Sequence, residues 1–457
     1  MNTLNRKLLR DLWRLRGQVL AIAMVVASGV AVLVMSLATL NSLQETASTY
    51  YERYRFADIF ASVTRAPEQL AGRIATIPGV QHAETRISKL ATLDIADFKE
   101  PVIGQLVSIP ERGESVLNRL ALLAGRRVQP NHPDEVVLSE PFAEAHGLTT
   151  GSRLHAVIHG KRRTLTVVGI ALSPEHVYAI GPGALMPDNQ RFGILWMGRD
   201  ALAAAYDLDG AFNDIALSLL HGTRPEAVIQ PLDQLLARYG GIGAIARADQ
   251  LSNWFLMNEI DQLGTMARIL PTIFLIVAAF LTNMVLARII ATERSEIGLM
   301  KAFGYRSTEI GWHYARMVIA ITGVGIVLGW LIGAWFGKVS TELYAEFYRF
   351  PLLIFAPKPS SFAAGAVVSL GAALAGTLGS MRRAASLPPA EAMRPPSPPL
   401  YRRTRLSTSR IAAWLDQPTR IILRQIVRWP GRALLTSAGI GLSVGVLVMA
   451  LQWIDSI

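Results

Sequence analysis

Charged side chains cluster in a short stretch that separates two long apolar runs. Residues 291–310 read ATERSEIGLMKAFGYRSTEI, where charged and apolar residues alternate at the spacing of an amphipathic helix. A helix that only rests on a membrane surface carries mostly basic residues on its polar face. Acids and bases are nearly balanced here, which favours charge recognition of a protein partner and leaves a surface helix as the alternative. The charged residues are Glu293, Arg294, Glu296, Lys301, Arg306 and Glu309.

No part of the sequence has the pattern of a catalytic or metal site. His155 and His159 are spaced like zincin ligands, but the intervening glutamate is missing and the stretch reads as a strand, where i and i+4 lie far apart. The chain has no cysteine and no GxxxxGK[ST] motif. We therefore predict a protein that is not an enzyme, holds no metal and binds no cofactor of its own.

Five uncharged apolar runs are long enough to cross a bilayer, which takes about 20 helical residues. The first run is longer than the apolar core of a signal peptide, about 7–15 residues, so we predict that it is kept as a span. The 51% hydrophobic composition also indicates a polytopic membrane protein. The runs are Val19–Leu40, Ile269–Ala287, Met317–Gly337, Pro359–Met381 and Ala433–Ile454.

The basic residues lie on one side of the predicted membrane. Residues 1–17 carry five basic and one acidic residue, 288–316 carry five and three, and 382–432 carry eleven and two. Residues 41–268 carry 21 basic and 25 acidic residues. Because basic loops stay in the cytoplasm, the N-terminus is predicted to be cytoplasmic and residues 41–268 to lie outside. The net charge of +11 follows the helix ends, so we expect no nucleic-acid partner.

The segment 41–268 alternates strand and helix signals and predicts an α+β domain. Strands are expected at Ala57–Thr64, Val80–Ser88 and Val102–Ile109, among others, and a β-rich block near 134–172 indicates a second lobe. A hairpin is predicted from Arg153 to Ile170, turning over residues 159–162.

Helical patterns join this domain to the first two spans. Asn41–Tyr54 extends the first span, and Asp249–Arg268 runs into the second. The two helices either pack on the domain or form a paired stalk that transmits motion; the pattern by itself favours simple packing.

Glycines repeat every fourth residue in the third span. Such a stripe lets another helix approach closely, because lipid supplies no hydrophobic force between helices. An intramolecular neighbour is favoured over a partner subunit. The stripe consists of Gly325, Gly329, Gly333 and Gly337.

The fifth run opens a second copy of the unit. Residues 6–37 align without gaps to 420–451, with Arg6, Arg10, Arg14 and Gly17 matching basic residues and a glycine in register. Four spans separate the copies, which predicts a parallel repeat. The basic, proline-rich residues between them are the expected linker, and we predict that the chain is the first part of a duplicated permease.

The charged stretch resembles the signature loop of the FtsX-like permease family of ABC transporters, of MacB and LolC type. The match consists of Glu293, Arg294, Glu296, Ile297, Gly298, Lys301, Ala302, Gly304 and Ile310. Residues 389–394 (PAEAMR) resemble the family's P-x-E-A-L-R, and residues 135–169 resemble its periplasmic core. The resemblance spans residues 1–395.

This resemblance implies that the loop contacts a separate ABC ATPase dimer, which binds the ATP. It further implies that a second permease unit, or a second half of the same chain, completes the transporter, and it allows a periplasmic adaptor as an additional partner. It also favours the interpretation of the two helical extensions as a paired stalk over simple packing on the domain. Membrane lipid is a further expected contact. The location implied is the bacterial inner membrane.

The sequence therefore predicts an α-helical polytopic membrane protein, with four spans plus a fifth that opens a second repeat and a large α+β extracytoplasmic domain between spans one and two. The expected function is an ABC transporter permease that exports or extracts an amphiphile at the outer face. The alternative is a mechanical regulator of a periplasmic cell-wall hydrolase that transports nothing. The predicted segments are a basic amphipathic helix (1–17), spans at 18–40, 269–287, 317–337, 359–381 and 433–454, the outer domain (41–268), the coupling loop (288–316), an outer loop (338–358) and the linker (382–432).

Overall fold

The computed structural model describes residues 3–96 and 98–393, and beyond them only isolated positions between 416 and 448. The predicted fifth span, the second copy of the repeat and most of the linker lie outside the two continuous ranges. The helices in these ranges are α1 (Thr3–Arg14), α2 (Arg16–Arg53), α3 (Leu70–Ala75), α4 (Glu140–Ala145), α5 (Arg199–Tyr206), α6 (Pro225–Leu236), α7 (Leu251–Thr292), α8 (Arg294–Ala302), α9 (Ser307–Phe347), α10 (Pro359–Ser386) and α11 (Pro389–Ala392).

Four of these helices, α2, α7, α9 and α10, are long and apolar enough to cross a membrane. Two compact units share the chain. The membrane unit comprises Met1–Val34, Ala267–Gly333 and the residues from Pro359 onward, and the second unit comprises Met35–Met266 and Ala334–Lys358.

The second unit contains two sheets. The strands are β1 (Ile59–Pro67), β2 (Val80–Arg86), β3 (Ser88–Asp94), β4 (Val102–Ile109), β5 (Ala121–Gly125), β6 (Glu135–Ser139), β7 (Arg153–Ile158), β8 (Lys161–Leu172), β9 (Phe192–Gly198), β10 (Ala211–Leu219) and β11 (Ile245–Ala246). One sheet has the order β11-β1-β10-β2, and the other has the order β5-β8-β6-β9-β4-β3-β7. The larger sheet is therefore inserted between β2 and β10, and it begins well before the β-rich block predicted near 134–172.

Each sheet buries one face under helices of its own. Leu70 and Ile74 of α3 and Leu232 of α6 pack with Ile59 and Phe212 in the core of the smaller sheet. The larger sheet is covered by α4 and α5, whose Phe142 and Leu202 join its core. Burial of these apolar side chains is the main force that holds each lobe together.

The β7–β8 hairpin is tighter than the sequence indicated. Ile158 pairs with Lys161, so the turn has two residues instead of the predicted four. His159 and Gly160 have φ of 47° and 77°, and positive φ at both central positions is the geometry that suits the twist of flanking strands.

A buried charge cluster, here called the Arg86 cluster, connects the two lobes. The Arg86 guanidinium of β2 lies 2.6 Å from Asp214 of β10 and donates a hydrogen bond of 3.0 Å to Glu175, which follows β8. Asn118 donates to Glu175 and accepts from the backbone N–H of Ala57, both at 2.8 Å. Arg86 is only 8% exposed. Its carboxylate partners come from a strand of the smaller sheet and from the segment that follows β8 of the larger sheet, so the cluster holds the lobes in one arrangement.

In the membrane unit, the glycine stripe of α9 lies against α2. A Cβ added at Gly329 would lie 2.6 Å from Val30 Cβ, and one at Gly333 would lie 2.7 Å from the carbonyl oxygen of Ala31. Gly325 meets Ala23 and Val26 in the same way. In the second unit, Gly337 faces Ala38. The helix that packs on the glycine stripe is therefore α2 of the same chain. Because glycine has no side chain, the backbone of α9 lies directly against the side chains and backbone of α2.

Candidate functional site

The charged stretch is almost entirely helical. The second span's helix, α7, continues to Thr292, and after one residue α8 occupies Arg294–Ala302. The third span's helix, α9, begins at Ser307. Glu309 accepts a hydrogen bond of 2.8 Å from the backbone N–H of Arg306, which satisfies one donor at the start of α9 as in a capping box. The predicted loop at 288–316 is therefore a short helix held between two long ones.

Gly304 ends α8 in a left-handed conformation. Its φ is +93°, which glycine adopts without a steric penalty. The N–H of Gly304 donates to the Lys301 carbonyl at 3.0 Å, and the N–H of Tyr305 donates to the Met300 carbonyl at 3.1 Å. These two bonds form a Schellman motif. Gly304 is thus required by the turn that redirects the chain into α9.

Lys7 of α1 collects three carboxylates, and we call this group the Lys7 cluster. Its ammonium lies 2.8 Å from Asp11, 3.0 Å from Glu293 and 3.0 Å from Glu296. The Tyr314 hydroxyl also donates to Glu293, at 3.1 Å. Sequence reasoning placed Glu293 and Glu296 toward a partner, but Lys7, 286 residues from Glu293, had no local signal that could reveal the contact.

Lys7 and Glu296 favour each other's charged forms. Burial by itself disfavours the ammonium, but the hydrogen bonds to Asp11, Glu296 and Glu293 outweigh it and raise the pKa of Lys7 above its ordinary value. The hydrogen bond from Lys7 is also the main reason that the pKa of Glu296 is lowered. Each charge stabilises the other, and α1 is thereby tied to α8.

The opposite edge of α8 is fixed to the end of α10. Lys301 donates hydrogen bonds of 2.7 Å and 2.6 Å to the carbonyls of Ala385 and Leu387. These carbonyls lie at a helix C-terminus, where they lack intrahelical partners and where the helix dipole favours a cation. The sequence predicted that Lys301 contacts a partner; within this chain it caps a helix.

The two segments that carry the family resemblance pack on each other. A Cβ at Gly298 would lie 2.8 Å from Ala392 Cβ and 3.1 Å from Met393 Cγ. Ile297 is fully buried in the core of the membrane unit. Glycine at 298 therefore permits α8 to lie directly on α11, although 94 residues separate the contacting positions. Arg394, the last residue of the second motif, lies outside the described ranges.

Two apolar side chains lie on the open face of α8. Leu299 is 51% exposed and Phe303, four residues later, is 77% exposed. Ala302 is exposed beside them, and Arg294 is half-buried. The outward surface therefore carries this apolar pair beside the half-exposed Glu296, whereas Glu293 and Lys301 are engaged inside the membrane unit. The i, i+4 spacing of Leu299 and Phe303 was the signal that could have identified this apolar pair.

His155 and His159, the pair with zincin-like spacing, make ordinary structural contacts. Nδ1 of His155 lies 3.1 Å from the Thr164 hydroxyl, and Nδ1 of His159 lies 3.0 Å from the Ala205 carbonyl. In the part of the chain that the structure describes, no group of three or more His, Asp and Glu side chains is arranged to hold a metal ion.

Comparison with known proteins matches one part of the chain to a family. Residues 268–389 match the family described as FtsX-like permease C-terminal. A search of curated protein sequences finds no match.

Three solved structures resemble the chain over less than half of its length. The extracellular domain of the noncanonic ABC-type transporter YknZ from Gram-positive bacteria is 12% identical, covers 42% of this chain and 98% of its own, and has a TM-score of 0.29. The periplasmic region of MacB from Actinobacillus actinomycetemcomitans is 10% identical, with coverages of 46% and 95% and a TM-score of 0.28. A domain of a putative permease protein from Porphyromonas gingivalis is 14% identical, with coverages of 45% and 97% and a TM-score of 0.28.

The matched range contains the end of α7, all of α8, α9 and α10, and the first residue of α11. It includes Gly304, Lys301 and Gly298, three of the residues from which the resemblance was predicted. The predicted resemblance is confirmed for residues 268–389, which match the FtsX-like permease family, and its extension over residues 1–267 stays a prediction.

Proposed function

We propose that this chain is the membrane-spanning permease subunit of an ABC transporter and that a separate ATPase dimer drives it. The observation that carries the proposal is the outward apolar pair of α8, Leu299 and Phe303, inside an FtsX-like permease domain. Exposed aromatic side chains are frequent energetic centres of protein interfaces. The pair would seat in the ATPase, while the charged side chains behind it keep α8 in position.

The fixation of α8 suits a mechanical role. Lys7 holds one edge of the helix to α1, and Lys301 and Gly298 hold the other to α10 and α11. A displacement of α8 would therefore be transmitted to the neighbouring helices and not absorbed by a flexible loop. This supports coupling of ATP-driven motion to the spans.

The first two spans have the length that a lever requires. At 1.5 Å per residue, the 38 residues of α2 and the 42 residues of α7 extend roughly 57 and 63 Å. The hydrocarbon core of a bilayer takes about 30 Å. The remainder would carry motion outward to the domain between the spans, where we propose that an amphiphilic substrate is exported or extracted.

The exposed face of α1 supports a location at the cytoplasmic surface of the bacterial inner membrane. Arg6, Arg10 and Arg14 are exposed with Leu9 and Trp13, and this mixture of arginine and apolar residues is typical of an interfacial helix. We infer from it, and from the basic loops, that the N-terminus is cytoplasmic and contacts anionic lipid.

The test is the double substitution Leu299→Ala and Phe303→Ala in the full chain, co-expressed with its ATPase and reconstituted in nanodiscs. Loss of a central aromatic contact costs about 2 kcal/mol or more, so we expect affinity for the ATPase to fall at least about thirtyfold. Leu185→Ala, at an 89% exposed position of the second unit, is the matched control. Unchanged ATPase retention in the double variant would exclude this face as the contact.

A further inference from the structure

A cleft of about 780 Å³ lies in the second unit, between the parts of α2 and α7 that extend beyond their apolar runs and the smaller sheet. This volume is in the range of small-molecule sites, roughly 300–1,000 Å³. The floor is apolar and buried, and the side wall is formed by longer side chains. The floor consists of Ala47, Phe56, Leu117 and Ile260, and the side wall consists of Tyr51 and Met257.

The cleft begins close to the predicted end of the first span. Gln44 of its lining follows Leu40, the last residue of the apolar run, by four residues. At 1.5 Å per residue of helix this is a rise of roughly 6 Å. The cleft therefore begins near the predicted membrane boundary.

Two hydroxyl groups in the lining have no partner. The Tyr51 Oη and Ser218 Oγ atoms are buried and make no hydrogen bond in the part of the chain that the structure describes. A buried hydroxyl without a partner is unfavourable, and such groups in native structures commonly serve a ligand or water. These two atoms point to a ligand that brings polar groups as well as an apolar body.

The rim of the cleft carries both signs of charge. Glu52, Arg55 and Asp261 are exposed there, and in the described ranges the Arg55 guanidinium makes no hydrogen bond or ion pair. Arg247 also lines the cleft, but its guanidinium is committed to Asp58 and to backbone carbonyls. The charges that remain at the rim suit a headgroup containing both an anion and a cation.

We propose that this cleft binds a single-chain zwitterionic amphiphile of the lysophospholipid class. The acyl chain would lie on the floor, the phosphate at Arg55 and the amine at Glu52 and Asp261. This assignment deepens the proposed transport function and rests on it for the direction of traffic, whereas binding itself requires no ATPase.

The experiment measures retention of lysophosphatidylethanolamine by the full chain, using native mass spectrometry after release from detergent. Glycerophosphoethanolamine, which has the headgroup without the chain, and tetradecanoic acid, which has the chain without the zwitterion, are the comparison probes. We expect saturable one-to-one retention of the lysolipid, at least tenfold weaker retention of the fatty acid and none of the headgroup. Equal retention of lysolipid and fatty acid would overturn the headgroup assignment, and no lysolipid retention would overturn the site.

Variants locate the bound molecule. Ser48→Trp and Ala248→Trp fill the cleft from exposed positions of its lining, so the packed core is untouched, and each is expected to weaken retention at least tenfold. Glu45→Trp, exposed on the same helix but absent from the lining, is the control and should not change it. Tyr51→Phe should weaken retention about fivefold through the lost hydrogen bond. Equal effects of Ser48→Trp and Glu45→Trp would place the lipid elsewhere.

The site and the proposed function can fail separately. Ser48→Trp should leave ATPase retention unchanged, and the α8 double variant should leave lysolipid retention unchanged. Loss of lysolipid binding with intact ATPase coupling would refute only the cleft. The cleft could instead bind a protein segment. In that case a partner protein would protect the cleft residues and no lysolipid would, and this result would also refute the proposal.

Discussion

The Arg86 cluster and the Lys7 cluster both bury a cation among carboxylates, but they differ in how completely the charges are enclosed. Arg86 has two carboxylate partners from opposite lobes of one unit, and its planar guanidinium contacts both at once. Lys7 has three carboxylate partners, one of which, Glu296, keeps about half of its side chain exposed. The first cluster is a fixed joint inside a folded domain. The second is partly open at the surface where a partner is proposed, so its geometry can respond to that partner.

The largest effect is expected from Arg86→Met. Removing the cation leaves Glu175 and Asp214 buried without a counter-charge, which costs about 3–5 kcal/mol. Urea unfolding of the full chain, followed by proteolysis within residues 41–268, measures the loss. Arg65→Met removes the exposed pair with Asp207 and should change the free energy of unfolding by less than about 0.5 kcal/mol. Similar losses of unfolding free energy in both variants would show that the buried Arg86 cluster stabilises the protein no more than an exposed ion pair does.

Lys7→Met should have a smaller and local effect. Charged hydrogen bonds contribute about 1.5–3 kcal/mol, and the partly exposed carboxylates can be resolvated. We expect faster hydrogen exchange in α1 and α8, with unfolding of the second unit unchanged. Arg6→Met, at an exposed position of the same helix, is the control. If Lys7→Met also lowered the stability of the second unit, the two clusters would not be independent.

Acidification should separate the clusters through His176, which lies beside Glu175. Burial lowers the pKa of His176 below its ordinary value, so below about pH 6.5 the unfolded chain binds more protons than the folded chain. The second unit should then lose about 1.4 kcal/mol of stability per pH unit below that value, until the folded form also titrates. In the Lys7 cluster, Lys7 lowers the pKa of Glu296, so the stability that this carboxylate contributes is lost only as the pH falls through and below the ordinary glutamate pKa, beneath the range in which His176 acts.

His176→Gln should abolish this pH dependence between pH 6.5 and 5. Thermal unfolding at several pH values is the measurement, and the hydrogen-exchange rates of α8 over the same range are the comparison. If the pH dependence of stability survived in the His176→Gln variant, its source would be Glu175 or Asp214 and not His176.

The smallest effect is expected from Gly304→Ala. The left-handed φ of +93° disfavours a Cβ by about 1 kcal/mol, which would fray the end of α8 without disturbing the Lys7 cluster. Gly17→Ala, where an added Cβ would meet no atom of another described residue within 4 Å outside its own helix turn, is the control. Weaker binding of the ATPase by the first variant alone would show that the turn, as well as the charges, positions Leu299 and Phe303.

Local patterns predicted much of the secondary structure. Val102–Ile109 is β4 and Pro359 begins α10, as expected from an apolar run with clear boundaries. The helical extensions of the first two spans were also visible, because apolar residues kept their period across the span ends. The seven-stranded sheet was only partly visible, since β9 pairs with β4 and β6, which are distant in sequence, and is buried throughout.

The sequence by itself determined the apolar runs, the helical period of the loop and its resemblance to the FtsX-like permeases. These are properties of neighbouring residues, and neighbouring residues set helix propensity and hydrophobic periodicity. Only the tertiary structure decided which way each charge of α8 points: Glu293 and Glu296 toward Lys7, Lys301 toward the end of α10, and Phe303 outward. The physical reason is that a buried charge requires a partner, and here each partner is supplied by a helix far away in the chain.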